Sequence, residues 1–393
     1  MSLVQRSRDF EPVLKLAQSP LKDTQAIHTL FSYAAKFQSQ VPEFIINNYS
    51  EPQDLILDPF GGGGTTAAAA KNLGRNFSHY DLNPLSCLIA LAKTCHYKDE
   101  DHKKLDLTSV KHKFIVNNKI LTFEESNLLE DPITTVIEKI WSQIICLKKE
   151  ENSLAPLLAV LLIKFIKQCG RRDSSYRRKR PLENHLNWFK NETSRYFKDL
   201  SEDLSEDLIE GLSQDFQATE YAQKNHQEKK IICASNHALN LKDNSVDLII
   251  TSPPYPGVDI EYNEIQLQRP DLHRCFRSDI GVRIANLFFA GNPEKRSLCD
   301  GGLKGFRNYF NNAERSLIEM RRVLKPTSLA FIYCGFKTEI DQKRYETLLI
   351  DTGFKILKRA DVKLSDDRVA SSRSTHHKRQ TKMMKQDFLF VCV

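Results

Sequence analysis

Asp58-Pro59-Phe60-Gly61-Gly62-Gly63-Gly64-Thr65-Thr66 is the stretch on which the reading of this chain turns. Before it, Asp54–Leu57 (DLIL) is a short apolar run that predicts a strand. After it, the alanine-rich segment Thr65–Leu73 predicts a helix, with Thr65 or Thr66 as its N-cap and Gly74 as its stop. Phe77–Tyr80 predicts a second strand, closed by Asp81. Four consecutive glycines let the backbone take positive φ and let a ligand approach the main chain. The N–H groups that open the following helix favour a bound carboxylate. Asp81, which only accepts hydrogen bonds when ionised, is placed for ribose hydroxyls. Phe60 is placed to cover part of such a ligand. A strand, glycine loop, helix and strand followed by an acid form the opening of a nucleotide-type Rossmann fold. A glycine loop that merely turns a strand into a helix is the plainer alternative, and the flanking Asp-Pro-Phe and Thr-Thr weigh against it.

The second informative stretch is Thr251-Ser252-Pro253-Pro254-Tyr255, directly after the apolar run Asp247–Ile250. Two prolines cannot continue a central strand, so the chain leaves the sheet here, at the carboxyl edge where open α/β sheets bind ligands. A proline has no N–H, so the backbone carbonyls around it are presented in a fixed direction. Further strands are predicted at Ile231–Ala234, Val246–Ile250, Leu329–Tyr333 and Phe388–Val393, with a helix at about Ala313–Leu324. Between Tyr97 and Lys230 the α/β alternation stops, and helix formers and charges predominate.

These residues resemble the DNA amino-methyltransferase family (N4-cytosine and N6-adenine DNA methyltransferases), with its Asp-Pro-Phe-x-Gly-x-Gly-Thr and Ser/Asp/Asn-Pro-Pro-Tyr motifs. Ser252 in the first catalytic position resembles the N4-cytosine branch. His28, Tyr33-Ala34-Ala35-Lys36-Phe37 and Pro42 resemble the family's motif before the first strand. Asp81-Leu82-Asn83-Pro84 resembles its ribose-side motif, and Arg322-Val323-Leu324-Lys325-Pro326 its helix-to-strand corner. Where the family often has an acid against adenine, this chain has Ala234-Ser235-Asn236, and Thr327-Ser328 stands for the usual Gly-Gly after Pro326.

The resemblance implies a Rossmann-like class I S-adenosylmethionine-dependent methyltransferase fold: α/β, with a doubly wound, mostly parallel sheet and a largely helical insertion. Residues 1–96 are then the cofactor-binding half, 97–230 the insertion and a candidate target-recognition unit, and 231–393 the catalytic half. It implies S-adenosyl-L-methionine as cofactor, held by Lys36, Asp58, Phe60, Gly62, Gly64, Thr65, Asp81, Asn83, Ser235 and Asn236. The expected catalytic residues are Ser252, Pro253, Pro254 and Tyr255. An exocyclic base amine is a poor nucleophile because its lone pair is delocalised into the ring. The Ser252 hydroxyl and Pro253 carbonyl are two acceptors able to hold its hydrogens out of plane, so that the nitrogen points at a sulfonium methyl. Tyr255 is placed to stack on a base flipped out of the duplex.

The expected function is site-specific methylation of cytosine N4 in double-stranded DNA, as the modification half of a restriction–modification pair whose endonuclease acts separately. Adenine-N6 methylation is the alternative within the family, and a non-catalytic nucleic-acid-binding protein of the same fold is the alternative outside it. C5 methylation is set aside because it needs a cysteine nucleophile, in the related family as Pro-Cys, and that dipeptide does not occur here. No metal is expected, since direct transfer to nitrogen requires none.

At 393 residues the chain has room for one large α/β domain and an insertion, and its net charge of +7 has the sign of a nucleic-acid binder. The basic cluster Arg171, Arg172, Arg177, Arg178, Lys179 and Arg180 is a candidate DNA contact. So is Arg379, within the basic stretch Arg368–Lys385. Each is as readily a solvated loop. The polar segment Gly257–Arg307 is read as closing over the substrate, with Glu261, Tyr262 and Asn263 near the pocket. Nine scattered cysteines without a Cys-x-x-Cys pair read as reduced thiols, and Met1–Phe10 shows no signal peptide, so a cytoplasmic, nucleoid-associated protein is expected. The apolar run Leu154–Ile166 is interrupted by Lys164 and too short to span a bilayer, which predicts a buried helix.

Overall fold

The strand Leu55–Asp58 is short and apolar, and it ends where Pro59 and the glycines stop pairing. The rest of the sheet is built around it. The computed structural model describes residues 9–18, 26–31, 38–98, 100, 119–129, 131–170, 182–201, 228–256, 265–269, 274–289, 302–362 and 386–393. Helices α1 (Glu11–Gln18), α2 (Ala26–Thr29) and α3 (Gln40–Tyr49) lead into β1 (Leu55–Asp58), α4 (Thr65–Asn72), β2 (Asn76–Asp81) and α5 (Pro84–Thr94). Then come α6 (Phe123–Leu129), α7 (Ile133–Lys149), α8 (Ala155–Cys169) and α9 (Leu182–Ser201). The chain returns to the sheet with β3 (Lys229–Cys233) and β4 (Val246–Thr251), followed by β5 (Ile265–Arg269), β6 (Arg274–Ser278) and α10 (Ile280–Ala285). It ends with α11 (Gly302–Val323), β7 (Leu324–Phe336), α12 (Glu339–Asp351), β8 (Ile356–Val362) and β9 (Gln386–Cys392).

Seven strands form one sheet in the order β3-β2-β1-β4-β7-β9-β8. The first five run parallel, and β9 inserts antiparallel between β7 and β8. This is the doubly wound sheet of the class I methyltransferase fold. Its strand order reverses between β1 and β4, the switch point at whose carboxyl edge such sheets bind ligands. Strand β4 (VDLIIT) has all but Asp247 buried, as a central strand covered on both faces requires. One face packs on α1 and α3 through Val13, Val41 and Ile45. The other packs on α11 and α12 through Tyr309, Leu317 and Leu349.

The elements described between α5 and β3 are all helices, and they share a core with α5. One buried cluster runs from Ile27 and Leu30 through Leu85, Leu88 and Ile89 of α5 into Ile137, Leu158 and Phe189. It continues into Leu267, Ile280 and Ile284, so the chain just beyond the Pro-Pro stretch packs with the insertion. Helix α8 is buried nearly all round, and Lys164 fits within it because its ammonium donates to Glu192 Oε2 (3.1 Å) and Tyr196 Oη (2.9 Å) of α9. Among the described residues no helix is long and apolar enough to cross a membrane.

A polar clasp fastens α10 to the insertion. Thr122 and Glu125 form a capping box, with Thr122 N donating to Glu125 Oε2 (2.8 Å) and Glu125 N to Thr122 Oγ1 (3.2 Å). The other carboxylate oxygen, Oε1, accepts from Ser278 Oγ and from Arg283 Nη2, while Arg283 Nη1 donates to the Ile120 carbonyl. The Glu125 side chain is 1% exposed, so removing its cation strands a buried charge. Arg283→Met is expected to destabilise the protein by about 3 kcal/mol, read as a lower urea midpoint. Adding Glu125→Gln should recover part of that loss, and an unshifted midpoint in the single variant would show that the clasp contributes nothing.

Candidate active site

Strands β1 and β4 are parallel neighbours, with Leu57 opposite Ile249, so their carboxyl ends emerge side by side. The last residues of the two strands are joined directly: Thr251 Oγ1 donates to Asp58 Oδ1 at 2.7 Å. The glycine loop and the Pro-Pro stretch, 193 positions apart at this bond, therefore leave the same edge of the sheet from a common root. Asp58 also accepts from Phe60 N at 3.2 Å, which folds the loop back over the strand end. Burial raises the Asp58 carboxyl to about 6, against the lowering effect of the Thr251 and Thr66 hydroxyls and the Phe60 amide.

The loop is held from below. Gly61 N donates to the Tyr80 carbonyl (2.9 Å) and Gly62 N to Asp81 Oδ2 (2.9 Å), so β2 sets its height. A Cβ on Gly61 would stand 2.1 Å from Nδ1 of the buried His79. Gly64 has φ +74 and its Cβ would meet the Ala90 backbone at 2.6 Å, so both positions require glycine. Gly64 is also the N-cap of α4, in place of the expected Thr65 or Thr66. The left-handed turn that enters the helix is one only glycine makes cheaply, and the two threonines are buried inside the first helical turn. His79, which the motifs do not include, is pushed down to about 3 by burial and by the nearby Lys93, so it lies neutral beneath the loop.

Asp81 ends β2 with its carboxylate steered on both sides, Oδ1 accepting from Asn83 N at 2.7 Å and Oδ2 from Gly62 N. Each oxygen keeps a lone pair for a further donor. Burial raises this carboxyl to about 6 as well, opposed by the Asn83 and Gly62 amides. Asn83 caps α5 through Oδ1, which accepts from Leu85 N at 2.9 Å, and its Nδ2 is buried with no partner among the described residues. Ser235 Oγ accepts from His237 N (3.2 Å), and Asn236 Nδ2 donates to the Pro59 carbonyl at 2.8 Å. The Asn236 amide thus steadies the glycine loop, and Ser235 is the freer of the two side chains predicted at this strand end.

On the acceptor side, Ser252 and Pro254 are half-buried and Pro253 is buried. Tyr255 is partly buried and packs against the clusters of both sheet faces. Phe60 is likewise partly buried, against the cluster under α11. Lys36, Arg171, Arg172, Arg177, Arg178, Arg180 and Arg379 lie outside the described residues, as do Glu261, Tyr262 and Asn263.

Residues 3–92 match the family model described as DNA methylase. Over this stretch the chain is similar to the DNA amino-methyltransferase family. Its N4-cytosine and N6-adenine branches are not distinguished by the match. Among curated proteins, the chain is 31% identical over 117 residues to the Type II methyltransferase M.MjaII of Methanocaldococcus jannaschii, covering 30% of this chain and 21% of that one. It is 36% identical over 53 residues to M.PvuII of Proteus hauseri, covering 14% of this chain and 16% of that one. It is 58% identical over 41 residues to M1.MboII of Moraxella bovis, covering 10% of this chain and 16% of that one. The matches thus span about a fifth or less of these relatives' length.

The family's cofactor is S-adenosyl-L-methionine, and the residues present fit it. The loop excludes a Cβ at two positions, which leaves its main chain open to close approach, Asp81 has acceptor capacity for hydroxyls, and Asn83 Nδ2 is a buried donor with no acceptor among the described residues. In the folded protein Asp81 and Asp58 hold a proton up to about pH 6, against 3.8 ordinarily. Folding therefore takes up protons between these values. The stability these groups contribute is full below pH 3.8 and is lost as pH rises through about 6. Ribose hydroxyls donate best to an ionised carboxylate, so cofactor binding through Asp81 is expected to have the opposite slope. The Kd for S-adenosylmethionine is expected to rise as pH falls below 6, approaching about tenfold per unit, when titrated calorimetrically from pH 8 to 5. Asp81→Asn should weaken binding and flatten that step. An equal slope in both proteins would remove Asp81 from the ribose site.

Proposed function

We propose that this protein is a DNA methyltransferase acting on the exocyclic N4 amine of cytosine, as the modification enzyme of a restriction–modification system. The observation that carries the reading is the Thr251–Asp58 hydrogen bond, which roots the cofactor loop and the Ser252–Tyr255 stretch at one point of the sheet edge. A methyl donor and a planar amine held by those two loops share one cleft.

S-adenosylmethionine, when bound, supplies an electrophilic methyl group on a sulfonium. The work of the chain is to orient and to exclude water. Gly62 and Gly64 admit the donor's methionine end, Asp81 and Asn83 bind its ribose, and Ser235 lies toward its base. The Ser252 hydroxyl and the Pro253 carbonyl accept the two amine hydrogens and hold the nitrogen lone pair out of conjugation. Tyr255 stacks on the extruded base. The substrate is double-stranded DNA, with the clusters at Arg171–Arg180 and Arg379 as phosphate contacts. Serine at position 252 favours cytosine N4 over adenine N6, and both amines offer the same pair of hydrogens.

Incubation with labelled S-adenosylmethionine and unmethylated DNA, followed by digestion to nucleosides, is expected to place the label in N4-methylcytosine. Label in N6-methyladenine would move the protein to the other branch, and no label with intact cofactor binding would overturn the enzyme. Ser252→Ala and Tyr255→Ala are each expected to lower kcat by a factor on the order of 10² while changing the Kd for S-adenosylmethionine little.

A further inference from the structure

Helix α11 carries two buried hydroxyls that belong to no motif. Tyr309 (0% exposed) donates from Oη to the Pro254 carbonyl at 2.8 Å. Ser316 (1% exposed) donates from Oγ to Asn236 Oδ1 at 2.8 Å, with the Asn312 carbonyl a second acceptor at 3.1 Å. Asn236 in turn donates to the Pro59 carbonyl at 2.8 Å. Tyr309 and Ser316 are two helical turns apart, and with Ala313, Leu317 and Met320 they lie on the face of α11 packed against the sheet. One rigid element therefore reaches the backbone of both loops: Pro254 directly, and Pro59 through a single asparagine.

Prolines explain why this outside support is needed. Pro59, Pro253 and Pro254 have no N–H to donate into a ladder, so strand pairing ends at Asp58 and Thr251, and the glycine loop is next tied to β2 at Gly61 and Gly62. At the prolines themselves the carbonyls are the available handles, and α11 holds that of Pro254 directly and that of Pro59 through Asn236. The helix is itself anchored at its far end. Glu319 Oε2 accepts from Leu239 N at 2.7 Å, and Arg322 donates to the Leu239 and Leu241 carbonyls at 2.9 Å each. In-line transfer to a weak nucleophile is steeply sensitive to the gap between donor and acceptor.

We propose that α11 is the gauge that sets the separation of the two loops, with Tyr309 and Ser316 as positioning residues for methyl transfer. This rests on the methyltransferase reading above. Tyr309 governs the acceptor loop and hence turnover, while Ser316 governs the cofactor loop and hence binding.

The test compares Tyr309→Phe, Ser316→Ala and the control Tyr345→Phe. Tyr345 is 2% exposed and packs in the same core cluster against Phe336 and Phe390, away from both loops. Steady-state methylation of DNA, equilibrium binding of S-adenosylmethionine and thermal melting are measured for each. Tyr309→Phe is expected to lower kcat by about tenfold, the effect of one lost hydrogen bond, with the Kd for S-adenosylmethionine within about twofold of wild type. Ser316→Ala is expected to raise that Kd by about three- to tenfold. Tyr345→Phe should leave both constants unchanged. Unchanged kcat in Tyr309→Phe overturns the proposal, and so does an equal loss in Tyr345→Phe, which would mark a general effect of core hydroxyls. If the wild-type protein binds S-adenosylmethionine but methylates no DNA, the methyltransferase reading fails. The gauge then stands or falls on whether Ser316→Ala still raises the Kd.

Discussion

The hydrogen bond from Thr251 to Asp58 is the constraint on which the rest of the site depends. It joins the ends of two central parallel strands at the point where the sheet's winding reverses, and its 2.7 Å length leaves no slack between them. Asp58 is 6% exposed and Thr251 is fully buried, so no water competes for the pair. A charge-assisted bond in such surroundings is stronger than its neutral counterpart, and an unmade one costs the full desolvation of both groups. Two loops that chemistry needs face to face are thereby tied at their roots before either meets a ligand.

From that root the glycine loop is shaped by what lies underneath it. His79 fills the space where a Gly61 side chain would stand, and Ala90 of α5 fills the space at Gly64. The loop follows the contour of these packed neighbours. A charged imidazole under a site meant to receive a cofactor's own charges would impose a field of its own. Burial and Lys93 keep His79 neutral. Asp81 and Asn83 continue the same economy, each spending part of its hydrogen-bonding capacity on the fold and leaving the remainder for a ligand.

The helices between α5 and β3 are continuous with α5 in their packing. Helix α5 offers Leu85, Leu88 and Ile89 to the insertion, and the same cluster takes in Leu267 of β5 and Ile280 and Ile284 of α10. Strand β5 and helix α10 therefore pack with these helices, where the Glu125–Arg283 clasp fastens α10. Segments from both halves of the sequence meet in one core cluster.

Local causes made part of this legible in the sequence. The run from Asp54 to Asp81 has apolar strands, glycines and alanines whose preferences act within a few residues, and the structure places β1, α4 and β2 there. Helix α8 and strand β4 were legible for the same reason, as were the prolines that end β4. Strand β8 and helix α12 were not, because their polarity belongs to the sheet's edge: Lys358 pairs with Glu11 and Arg359 with Glu346, so neither element shows a clean apolar period. The helix N-cap was misplaced by two threonines with the right chemistry, since the left-handed turn at Gly64 outweighs a side-chain cap. The sequence by itself determined which residues are able to cradle a cofactor and present an amine acceptor, since those capacities reside in glycine, proline, serine and aspartate as residue types. Only the tertiary structure decided that Thr251 meets Asp58, that His79 lies under Gly61, and that Tyr309 reaches the Pro254 carbonyl while Ser316 reaches the Pro59 carbonyl through Asn236. These are meetings of groups far apart in the chain, and strand order and helix docking set them.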